Sequence, residues 1–245
     1  MKKISVAIVL LGIVFGCASP GDCIETSGPM VRKEFSLSNF NKIIVYSGVA
    51  LVVTEGPEYK VEVESPKNLF DQIELSVKDS LLALKDNSSC NWVRSYGKIT
   101  VYVTAPNIEE LHSKTEKTIS SNGILTFPIL RLISLDLSDG AGTGDFNIQV
   151  DNNQLVIENN NVSRYYISGK TNELRVNFYD GNGRFMAENL IAKSVYIFHR
   201  GSNDMIVNPA ESITGKMVST GNLILKNTPP IVDVQALYIG HVIYN

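Results

Sequence analysis

The chain has 245 residues, 44% of them hydrophobic and 19% charged, and a formal net charge of −3. That length can bury a substantial core and is within the range of one all-β domain, and the composition is globular, unlike a disordered chain or a membrane channel. There is no basic run beyond Lys2-Lys3, which argues against nucleic acid as a partner.

Lys2-Lys3 and the apolar stretch from Ile4 to Phe15 have the layout of an export signal, too short to stay as a permanent span. The segment Val14-Phe15-Gly16-Cys17 resembles a bacterial lipobox. That resemblance implies cleavage before Cys17 and a lipidated N-terminus, so residues 1–16 would be removed and the membrane partner would be reached through a lipid anchor. Secretory cleavage after Ala18 is the alternative. Ala18 and Ser19 do not provide the aspartate that retains such proteins in the inner membrane, so the expected address is the outer membrane. Residues 17–34 follow as a Gly-, Pro- and Ser-rich tether. Cys23 lies within it, and Cys90 is the other cysteine left after Cys17. An exported chain permits a Cys23–Cys90 disulfide, with two free thiols as the alternative.

Residues 35–245 read as a single β domain. In its irregular half, 35–110, Ile43 and Val45 precede Ser47-Gly48 like a displaced first coil. Lys60 to Glu64 alternates as a half-exposed strand does, and Asn68 to Ile73 predicts one short helical turn. Glu74–Val77, Leu81–Lys85 and Lys98–Thr104 read as further strands. Lys78-Asp79-Ser80 is short enough for a hairpin, so antiparallel pairing is expected here, capping one end.

Residues 111–227 repeat. Corners fall at Asp139-Gly140, Asn159-Asn160, Asp180-Gly181, Arg200-Gly201 and Thr220-Gly221, with steps of 20, 21, 20 and 20 residues. Apolar Leu137, Ile157, Phe178, Phe198 and Val218 each stand three positions before a corner. Gly or Asn suits a corner that needs positive φ. A period near twenty indicates a solenoid. Leu132, Leu135 and Leu137 fit a leucine-rich repeat, but Asn152, Glu173, Lys193 and Ile213 break that pattern in later coils. The expectation is therefore a parallel β-helix of about 20 residues per coil, with Phe178 and Phe198 stacked in its interior. Residues 228–245 are expected to supply closing strands at the far end.

Ser47-Gly48, Asn68-Leu69-Phe70, Val101-Tyr102-Val103-Thr104-Ala105-Pro106, the later Gly corners and Ser219-Thr220-Gly221-Asn222 before Pro229-Pro230 together resemble the GIN-domain family. This is an adhesin-head domain of unknown function found in bacterial lipoproteins. The resemblance covers roughly Phe35 to the C-terminus, and Glu116 and Asn160 depart from its usual Ser-Gly corners. It implies a right-handed parallel β-helix on the cell envelope and no established activity.

The candidate sites are few. Asp139, Asn159, Asp180 and Arg200 would stack as a polar column. The two aspartates would stand about 10 Å apart if coils are spaced as strands are. That spacing supports an alternative reading as a polysaccharide lyase or hydrolase, although turn chemistry explains every member of the column. His112, His199 and His241 lack ligand spacing, so no metal or other cofactor is expected. Trp92, Arg94 and Tyr96 alternate near Cys90 and could form an aromatic platform for a sugar or peptide, or simply cover the solenoid end. The main expectation is a non-enzymatic envelope lipoprotein that binds or scaffolds an envelope or extracellular glycan or protein.

Overall fold

The computed structural model describes residues 28–88, 99–135 and 142–245. Strand makes up 66% of it and helix 3%, wound as a β-solenoid of about six turns with about 21 residues per turn. In chain order the first strands are β1 (Met30–Phe35), β2 (Lys42–Tyr46), β3 (Val49–Glu55) and β4 (Lys60–Pro66). A 3-10 turn at Lys67–Gln72 leads to β5 (Ile73–Lys78), β6 (Leu81–Asp86) and β7 (Ile99–Ala105). Next come β8 (Glu110–Lys114), β9 (Ile119–Leu125), β10 (Ile129–Ser134) and the long strands β11 (Asp145–Asn159), β12 (Arg164–Phe178), β13 (Arg184–His199) and β14 (Met205–Met217). The last are β15 (Leu223–Leu225), β16 (Ile231–Ala236) and β17 (Val242–Tyr244).

The parallel strands form two strips. One runs β6, β2, β8, β10, β11, β12, β13, β14, β16. The other runs β7, β3, β9, β11, β12, β13, β14, β15, β17. Each long strand serves both, because its first half extends one strip and its second half the other.

Period-two alternation places every second side chain inside, where equivalent positions of successive coils stack. One buried column is Leu82, Ile43, Leu111, Leu132, Ile157, Val176, Ile197. A second contains Ile119, Phe146, Tyr165, Phe185, Met205 and Leu223, with the Phe146 and Tyr165 rings stacked at 4.9 Å. Each such side chain removed from water contributes about 1.5–3 kcal/mol.

The irregular half reveals where the displaced coil went. The β2–β3 coil lies between the β6–β7 coil and the β8–β9 coil, so segments nearly seventy residues apart are hydrogen-bonded neighbours. Beyond β6–β7 the strand direction reverses. β5 is antiparallel to β6, β4 to β7, and β1 to β4. The β5–β6 hairpin turns through Asp79 and Ser80, both at positive φ (51° and 62°), as a two-residue turn matched to strand twist requires. The 3-10 turn buries Leu69 and Phe70 over this end. At the other end, β16 and β17 extend the parallel stack as one more coil and do not fold across it.

One register expectation is overturned. Phe178 is fully buried, but its neighbour in the next coil is His199, and Phe198 faces outward. The cause is a β-bulge. Tyr166 pairs with Met186, whereas Ser168 pairs with Asn189, so β13 carries one extra residue around Ala187-Glu188. A one-residue slip flips every later side chain to the opposite face. Corner glycines do not show it, because corners absorb length differently. Gly181 has the expected positive φ of 85°. Gly221 does not have positive φ; it is needed for space, since a Cβ there would come within 2.6 Å of His199 Nε2.

Candidate binding face

Several of the residues singled out from the sequence cannot be placed. Cys17, Cys23, Cys90, Trp92, Arg94, Tyr96 and Asp139 lie outside the described residues. The rest of the polar column does not assemble. Asn159 is fully buried, pairing in register with Phe178, while Asp180 and Arg200 are exposed. A column read from corner spacing alone mixed an interior position with surface positions. Asp180 is occupied locally, its Oδ1 accepting a hydrogen bond from Gly181 N–H at 2.8 Å.

Asn159 belongs instead to a buried knot that ties a corner to the core. The Tyr165 hydroxyl donates to Asn159 Oδ1 at 3.2 Å, and Asn159 Nδ2 donates to the Asn161 carbonyl at 3.0 Å. Asn161 Nδ2 donates to Ser134 Oγ at 3.1 Å, and Ser163 Oγ donates to the Gly142 carbonyl at 2.6 Å. Burial pushes the Tyr165 hydroxyl pKa far up, so this phenol stays protonated and acts as a donor. Such groups need partners once they are shielded from water, and the knot supplies them for the Tyr165 hydroxyl, both polar ends of the Asn159 amide and Asn161 Nδ2, leaving Asn161 Oδ1 without one.

The developed surface is the outer face of the first strip. Outward positions of β2, β8, β10 and β11 put Lys42, Glu110, Arg131 and Val156 in one column, with His112, Ile133 and Glu158 in the next. Glu110 accepts from Arg131 at 3.0 Å, contacts His112 Nε2 at 2.8 Å and lies 3.5 Å from Lys42. Arg131 spans to Glu158 on the following coil, and Glu158 also accepts from the Tyr179 hydroxyl at 3.2 Å. Burial pushes the Glu110 carboxyl up, but the His112 hydrogen bond and the charges of Lys42, His112 and Arg131 outweigh it and hold the group below its ordinary value. Desolvation works against the Arg131 charge, yet Glu158 and Glu110 hold its pKa above the usual value.

Further along the strip the charges give way to aromatics. Tyr179 stands 6.1 Å from Phe198, ring to ring, and the Arg175 guanidinium lies 5.0 Å over Tyr196. The bulge in β13 turns Phe198 out, so the irregularity that removes it from the core also builds this patch. Sequence reading missed it because the same Phe matched the core position of its coil. Flat aromatic rings beside guanidinium and carboxylate groups suit ligands with both C–H faces and hydroxyls. Among the described residues no helix is long and apolar enough to cross a membrane.

A family model described as "Putative auto-transporter adhesin, head GIN domain" matches residues 39–229. The fold is shared with a putative adhesin from Bacteroides fragilis, at 21% identity and a TM-score of 0.78 over 89% of this chain and 97% of that one. A putative adhesin from Parabacteroides merdae is similar at 15% identity and 0.60, covering 91% and 98%. A putative lipid binding protein from Parabacteroides distasonis is similar at 14% and 0.63, covering 90% and 99%. No curated protein matches.

Proposed function

Since the chain belongs to the GIN-domain family, we propose that it is a non-enzymatic binding or adhesion module of the cell envelope, with the outer face of the first strip as its contact surface. The observation that supports this is the continuity of that face. A charge ladder from Lys42 to Glu158 is locked in place by its own ion pairs and leads into Tyr179, Phe198, Arg175 and Tyr196. Rigid, prepaired groups on a stiff scaffold lose little freedom on binding.

Glycans are the ligand class this chemistry favours, because sugars offer apolar C–H faces to aromatic rings and hydroxyls to carboxylates and guanidinium groups. Lipidation at Cys17 would hold the module on the membrane, and Ala18 and Ser19, which do not supply an inner-membrane retention aspartate, favour the outer membrane as its address.

Binding of purified protein to an array of envelope and extracellular glycans tests the reading. Arg175→Ala with Tyr196→Ala should weaken glycan binding roughly tenfold or more, the order of ~1.4 kcal/mol, with the fold unchanged by circular dichroism. Binding indifferent to both substitutions, or release of new reducing ends or unsaturated products, would refute it. In cells, Cys17→Ser should move the protein out of the membrane fraction.

A further inference from the structure

The terminal coil, residues 231–245, carries more exposed large apolar side chains than any other part of the stack. Leu237, Tyr238 and Ile239 are about 60% exposed, with Ile231 and Tyr244 at 57%. Val232, Val234 and Val242 pack against the core yet stay half-open, whereas Ile213 and Leu223, one coil earlier in the same columns as Val232 and Val242, are fully buried. β16 bonds to β14 and β17 to β15, and among the described residues nothing pairs their outer edges.

We propose that this end is the interface of a two-fold dimer, with β16 of one copy lying antiparallel against β16 of the second. The argument starts from charge. At the opposite end, the edge strands carry the side chains that keep edges single: Arg32, Lys33 and Glu34 on β1, Glu74 and Lys78 on β5. Across residues 231–245 the sole Asp, Glu, Lys or Arg is Asp233. An edge strand with a single charge, Asp233, and with its outer backbone donors and acceptors unspent among the described residues, is complementary to its own antiparallel copy, in which the Asp233 carboxylates remain at the solvent-exposed surface.

Area points the same way. Five or six large apolar side chains, each exposing about 100 Å², supply about 600 Å² per copy before the half-open valines are counted. A stable interface needs about 800 Å² per partner. Closure follows from topology. Head-to-tail stacking would need an unblocked edge at both ends, and at the capped end the edges of β1 and β5 carry Arg32, Lys33, Glu34, Glu74 and Lys78, so association stops at two copies and does not run on into a filament.

Sedimentation of the purified protein from about 1 to about 100 µM tests this, a range that brackets micromolar affinity. A monomer–dimer equilibrium is expected, with no larger species. Leu237→Lys and Ile239→Lys each alter a side chain already exposed in the single copy, so they should leave the far-ultraviolet spectrum unchanged. Each should raise the dimer dissociation constant roughly 30-fold or more, as loss of a central anchor does. Arg32→Ala, at the capped end, should leave it unchanged. A monomer throughout that range, association indifferent to Ile239→Lys, or growth beyond two copies would overturn the proposal.

Discussion

The two ends of the solenoid solve the same physical problem differently. A parallel stack satisfies the backbone of every interior coil and leaves the terminal coils with a free strand edge and an uncovered core. At one end the chain reverses direction through β4 and β5, lays Leu69 and Phe70 over the opening, and places charges on the outermost strands. At the other it adds β16 and β17 in the same direction, with no reversal. The difference shows that stability in such a fold is local. A coil is as stable as the neighbours it has, and among the described residues the terminal coil has one neighbour where the others have two.

Substitutions can sharpen that contrast. The largest effect is expected in the doubly covered middle: Phe178→Ala should cost about 3–5 kcal/mol in denaturant unfolding. Phe198→Ala, on the outer face of the next coil, should cost less than about 1 kcal/mol, in line with surface substitutions. Equal losses would mean that the bulge in β13 is misplaced. Next comes the inserted coil. Ile43→Ala should cost about 2–5 kcal/mol because Ile43 is fully buried between two coils, whereas Val232→Ala in the half-open terminal coil should cost about 1 kcal/mol or less.

The smallest effect concerns the charge ladder. Glu110 has its folded pKa held below the ordinary value, so its contribution is present above the normal carboxylate range and lost as pH falls through the folded value. Glu110→Gln should therefore flatten the acid-side dependence of stability, change it by about 0.2–1 kcal/mol at neutral pH, and leave the alkaline side alone. Titrating the unfolding midpoint from acid to alkaline pH checks the sign.

Much of this architecture was legible in the sequence, for identifiable reasons. Alternation in Lys60–Glu64 and the short connection at Asp79-Ser80 are local signals that gave their elements in the right place, and the corner spacing gave the solenoid and its period though not the face of each corner residue. The insertion of β2–β3 between later coils was not legible, because pairing across nearly seventy residues leaves no local trace. The bulge around Ala187-Glu188 escaped for a different reason. It lies mid-strand, away from the glycines that mark the period, and so Phe198 was assigned to the wrong face. The open end was hidden by composition, since β16 and β17 carry the apolar residues of any core strand and only pairing shows that they have one neighbour each among the described residues. The outer aromatic patch went unread along with Phe198.

The central claim, a one-dimensional stack capped by antiparallel strands at one end and ending in a singly paired parallel coil among the described residues at the other, is tested most directly by hydrogen exchange resolved along the chain. Ile239→Lys protein should be used, so that self-association does not cover the terminal coil. Amides of β2, β3 and β7 should exchange as slowly as those of β12, because the inserted coil and its neighbour lie under the cap. Amides of β16 and β17 should exchange about 100-fold faster or more, a gap of at least ~2.7 kcal/mol in local opening. Protection in β16 equal to that in β12, or opening of β2–β3 before β16, would contradict the account.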